Sequence, residues 1–86
     1  MSLGDVKAAL RAAIEAARQG QEVFDQASAE AKTATAAAEA ILNDSRDEDV
    51  RAVYQALAAA SAEVEPTRRR FVNAAEHATR YLKQLG

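Results

Sequence analysis

Apolar residues recur along this chain at steps of three then four, in two long stretches divided by a polar segment. The first stretch runs through Leu3, Val6, Leu10, Ala13, Ala17, Gly20, Phe24, Ala27, Ala31, Ala34, Ala38 and Ile41. The second runs through Val50, Val53, Leu57, Ala60, Val64, Thr67, Phe71, Ala74, Ala78, Tyr81 and Leu85. A 3-4 spacing held this long predicts helices packed lengthwise on one another, because it keeps one stripe of each helix facing a neighbour. Between them, Asn43 to Asp49 is polar and lacks the rhythm. The pattern therefore predicts an all-α fold: helix one over about 4–42, a turn at 43–46, and helix two over about 47–85, in a single 1–86 domain. A connection this short makes the helices antiparallel neighbours, a hairpin with a coiled-coil-like heptad seam.

Local signals agree with these boundaries. Ser2 and Asp5 have the spacing of an N-terminal cap, in which side-chain oxygens accept amide hydrogens that no helical carbonyl reaches. Asn43 is suited to the left-handed conformation that ends a helix. Ser45 and Glu48 form a Ser-x-x-Glu capping box, and Asp47, Glu48 and Asp49 place negative charge at the positive end of the helix-two dipole. Folding back through this turn pairs Ile41 with Val50, Ala34 with Leu57, Ala31 with Ala60, Gly20 with Phe71, Phe24 with Thr67 and Leu10 with Tyr81. Large residues then tend to meet small ones, as dense packing requires. Pro66 interrupts the second pattern: inside a helix it removes one hydrogen bond and crowds the preceding turn. A helix two kinked at Pro66 is the expectation, with a break near Glu65 and three helices as the alternative.

The flanks beside the stripe differ. Arg11, Arg18, Asp25, Lys32 and Glu39 form a solvated row, whereas Ile14, Gln21, Ser28, Thr35 and Leu42 recur without a charge. Helix two matches the second row with Tyr54, Ser61, Arg68, Ala75 and Leu82, and Val72 adjoins them. Two helices alone make a thin core, so the sequence predicts a homodimer, a four-helix bundle with Ile14, Leu42, Tyr54, Val72, Ala75 and Leu82 as the self-association face.

Composition narrows the function more than it names it. About a quarter of the residues are alanine, and the formal net charge is -2. High alanine content favours helix, and the weak acidic balance argues against a general polyanion binder. There are no cysteines and one histidine, His77. No thiolate or multi-histidine metal site can form, no cofactor is implied, and no nucleophile has a base beside it. The reading is non-enzymatic, with no catalytic, cofactor-binding or metal residues. Arg68-Arg69-Arg70 is the one basic cluster; clustered arginines can hold phosphates, so a small nucleic-acid-associated or regulatory protein is the alternative to an interaction module. Glu65, three residues before Arg68 and four before Arg69, argues for a solvated face instead. The start lacks a basic and apolar leader, and no apolar run reaches the roughly 20 residues that span a bilayer. A cytoplasmic protein without membrane association is expected, with leaderless secretion left open.

Two long helices, an acidic central turn, an Ala-rich body and a C-terminus containing Tyr81 and Leu82 resemble the ESX-type helical hairpins of type VII secretion and related Ala-rich hairpin proteins of actinobacteria. Asp44-Ser45-Arg46-Asp47 stands where that family carries Trp-x-Gly. Neither Tyr81 nor Tyr54 is followed four residues later by an acid, as the family's export pattern requires. The resemblance implies a helical partner and, as a third reading, a secreted hairpin; it assigns no residue a role.

Overall fold

A computed structural model describes residues 1–44 and 46–86 and shows an all-α helical hairpin. Helix α1 spans Leu3–Asp44 and α2 spans Glu48–Leu85. The two pack along their length in a body whose Cα extents are 62 × 18 × 14 Å. Ser2 caps α1 as its spacing with Asp5 predicts: the Asp5 amide donates to Ser2 Oγ at 3.1 Å, and the Ser2 amide to Asp5 Oδ2 at 3.2 Å. At the turn, Asn43 continues α1 rather than ending it in a left-handed conformation. Asp47 is the α2 cap, its Oδ1 accepting the Asp49 amide at 2.7 Å. The capping box expected of Ser45 falls on a residue outside those described.

α2 runs through Pro66 without a break, so the three-helix alternative does not hold. Pro66 is exposed, where its ring meets only its own helix and solvent. At the far end Gly86 takes a positive φ of 81°, and its amide returns to the Lys83 carbonyl at 3.1 Å. Lys7 Nζ donates to the Gly86 carbonyl at 2.7 Å, which ties the C-terminus to the first turns of α1.

The seam keeps the central row of the expected stripe and takes in one more heptad row on each helix. The inward rows on α1 are Leu10, Ala17, Phe24, Ala31 and Ala38 together with Ile14, Gln21, Ser28, Thr35 and Leu42. On α2 they are Val50, Leu57, Val64, Phe71, Ala78 and Leu85 together with Tyr54, Ser61, Arg68, Ala75 and Leu82. Of the expected stripe, Val6, Gly20, Ala27, Ala34 and Thr67 are half-buried, whereas Leu3, Ala13, Ile41, Val53, Ala60, Ala74 and Tyr81 are exposed. The physical reason is bulk and bonding. The chosen row offers Ile14, Leu42, Tyr54 and Leu82, and it closes a Thr35–Ser61 hydroxyl pair at 3.1 Å; the displaced row is mostly alanine and glycine on α1.

The register shifts with the row. Phe24 meets the Phe71 ring, centroids 5.6 Å apart, a contact the expected pairing did not include. Gly20 does face Phe71, as expected: a Cβ built on Gly20 would stand 2.5 Å from the ring. The Ile41–Val50, Ala31–Ala60 and Leu10–Tyr81 pairs give way, since Ile41, Ala60 and Tyr81 turn to solvent.

Two consequences are measurable. Pro66→Ala restores an amide for the Ala62 carbonyl and should raise stability by roughly 1–3 kcal/mol in urea denaturation. Gly20→Ala gains helix propensity but drives a methyl into the Phe71 ring. It should lower stability by about 1–3 kcal/mol, and in a Phe71→Leu background the same change should become neutral or stabilising.

Candidate functional site

The hairpin has two unlike sides. Along one edge the helices are laced by polar contacts: Lys7 to Gly86, Asp25 to Arg68, Thr35 to Ser61, and Tyr54 Oη donating to Glu39 Oε1 at 3.4 Å. Arg68 is the centre of this edge. Its Nε and Nη2 donate to the two Glu65 oxygens at 3.0 and 2.9 Å, and its Nη1 lies 3.6 Å from Asp25 Oδ1. A guanidinium fork matched to one carboxylate on its own helix and a second across the seam is held in a fixed direction. Arg69 Nη2 lies 3.6 Å from the same Glu65 oxygen. The hydrogen bond from Arg68, above all, holds the Glu65 carboxyl below its ordinary value of 4.5, and the charges of Arg68 and Arg69 add to this.

The expected arginine patch is thus divided. Arg68 faces the seam, Arg69 shares Glu65, and Arg70 points away as an exposed residue. The three do not converge on one anion.

The opposite side is different in kind. There Ala13 and Ile41 of α1 and Val53, Ala60, Ala74 and Tyr81 of α2 are exposed, while Val6, Gly20, Ala27 and Ala34 of the same α1 row and Thr67 of the α2 row are half-buried at the seam margin. In an antiparallel pair, rows offset in the same sense from the seam fall on the same side, so these two form one strip without a charge. Val23 extends it on α1. Val23, Ile41, Val53 and Tyr81 are 63, 56, 55 and 49% exposed.

The residues expected to form a self-association face lie along the polar edge, one of them buried and five half-buried. Ile14 is 8% exposed and belongs to the hairpin interior; Leu42, Tyr54, Val72, Ala75 and Leu82 are half-buried along the polar edge. The uncharged strip is the more exposed of the two sides at Ile41, Val53 and Tyr81. Alanine and glycine had marked that strip as seam in the sequence. The signal that could have moved it outward was the larger volume of Ile14, Leu42, Tyr54 and Leu82 one row away.

Other surfaces offer little chemistry. A solvent-open groove of ≈ 550 Å³ below the turn is lined by Leu42, Asn43, Asp44, Arg46, Arg51, Tyr54 and Gln55. His77 is exposed, its Nδ1 2.9 Å from Arg80 Nη2; arginine has only donors, so Nδ1 accepts there. Among the described residues no group of three or more His, Asp or Glu side chains could hold a metal ion, and no helix is long and apolar enough to cross a membrane. No protein-family model matches the chain, and neither a curated protein nor a solved structure does. The likeness to ESX-type hairpins rests on the layout alone.

Acid should test the Arg68 anchor. A carboxyl whose folded pKa is depressed contributes stability that is complete above its unfolded pKa and is lost as pH falls through the folded value. The wild type should therefore lose stability on acidification below about pH 4.5. Arg68→Gln should flatten that part of the profile, read as the urea midpoint at pH 2 to 6.

Proposed function

We propose that this protein is a non-enzymatic protein–protein interaction module: a helical hairpin that self-associates through its uncharged side. The single observation that carries the reading is the strip of Val23, Ile41, Val53 and Tyr81 among alanines, open to solvent along the hairpin. What makes covering it favourable is the thinness of the hairpin core. Only Ile14, Ala17 and Ala38 are buried among the described residues, and no α2 residue is. Small cores of this kind supply only a few kcal/mol unless something staples or covers them.

The side that carries the strip, with Cα extents of about 62 by 18 Å, is large enough for the roughly 800 Å² that each partner contributes to a standard-size contact. Burying its apolar atoms contributes about 25 cal/mol per Å² before the costs of association. Seats for a reaction play no part in this reading, and neither do His77 or the arginines. A four-helix bundle is the assembly that covers both copies at once.

Sedimentation of the wild type should give twice the chain mass of 9.2 kDa. Ile41→Glu with Val53→Glu should shift it to the single-chain mass while far-ultraviolet circular dichroism stays helical. Wild-type monomer at all concentrations up to the millimolar range would remove the self-association reading.

A further inference from the structure

Which way the two copies face is decided by charge at the rim of the uncharged strip. We infer that the hairpins pair antiparallel, turns at opposite ends, with α1 against the partner's α1 and Glu63 beside the partner's Arg70. The inference rests on the self-association reading above and fixes its geometry.

A two-fold axis can stack two such sides on each other in two ways. In one, the axis runs along the hairpin, both turns lie at the same end, and α1 covers the partner's α2. Residues at equal height then meet across the interface. Asp25 stands level with Arg68 and Glu39 with Tyr54, so Glu30 is level with Glu63, and Asp44 with Asp49. These four acids occupy the rows just outside the strip and are exposed. That arrangement sets Glu30 against the partner's Glu63, and Asp44 against the partner's Asp49. Like charges juxtaposed at an interface oppose it.

In the other arrangement the axis crosses the hairpin, and α1 lies on the partner's α1. Passing it between Ala27 and Thr67, which share a height, suits both helices at once. Glu63 then meets the partner's Arg70, and Arg70 the partner's Glu63. Glu30 comes to Val23, while Asp44 and Asp49 come to uncharged positions near Ala9 and Gln84. No like charges meet. The apolar fit is also complementary: Ile41 covers the partner's Ala13, and Val53 meets the partner's Tyr81. Small residues at the α1 contact allow the close approach that dense packing needs.

The chain has no cysteine, so single-cysteine variants report the arrangement directly. Ala27→Cys and Thr67→Cys chains, one of them isotopically labelled, are mixed, equilibrated and oxidised, and the products are weighed. The inferred pairing yields Ala27–Ala27 and Thr67–Thr67 linked dimers, because a disulfide needs Cα atoms within about 7 Å. Mixed-label dimers joined from position 27 to position 67, or a dimer by mass with no linkage at position 27, overturn it. Monomers by mass overturn the self-association reading itself, which separates the two failures. As a second measurement, Glu63→Arg or Arg70→Glu alone should weaken the dimer roughly tenfold, and the double exchange should restore it. An exchange that restores nothing also counts against the pairing.

Discussion

The contact on which the hairpin depends is the Phe71 ring lying where a side chain at position 20 would be. Glycine there lets α2 approach α1 with a full aromatic ring between the backbones, and Phe24 closes the other side of that ring. This contact sets the height at which the helices meet. The polar edge then follows in register, from Asp25–Arg68 through Thr35–Ser61 to Glu39–Tyr54. A slide of one heptad would move the ring off Gly20 onto Ala13 or Ala27, where a methyl group already stands. Packing that is intolerant of a single methyl is what makes one register win over its neighbours.

From that register comes the division of labour between the two sides. Polar side chains that bond across the seam must sit at its margin, where each can satisfy its partner without full desolvation. Arg68 illustrates this: its stem lines the seam while its guanidinium reaches Glu65 and Asp25 at the surface. Once that margin is polar, the apolar residues excluded from the seam gather on the other side. The exposure of Ile41, Val53 and Tyr81 is therefore an outcome of how the helices rotated. The titratable groups lie on the outer surface or in ion pairs, and Phe24 and Phe71 fill the seam while Val23, Ile41, Val53 and Tyr81 face solvent.

Much of the architecture was readable from the residues alone. The 3-4 spacing demanded two long helices, the polar stretch at Asn43–Asp49 demanded a turn, and Ser2 with Asp5 demanded a cap, because each reflects interactions within a few residues along the chain. Gly20 facing Phe71 was also legible, since only glycine leaves room for that ring. Helix ends were less so: Asn43 kept its helical conformation because α1 runs on to Asp44, and Asp47 took the capping role because it directly precedes the first turn of α2.

The rotation of each helix was a different matter. Three adjacent rows on α1 carry no acidic residue and only one lysine, Lys7, near the end, so periodicity allowed the seam to fall on either pair of them. Local propensity is indifferent to that choice, because turning a helix about its axis leaves its own hydrogen bonds unchanged. Three-dimensional packing decided it, through the volumes of Ile14, Leu42, Tyr54 and Leu82 and through bonds joining residues far apart in the chain. The sequence by itself thus determined that two helices fold back on each other. Only the tertiary structure decided which residues they hide and which they leave exposed, since that depends on the fit between two surfaces and not on either one alone.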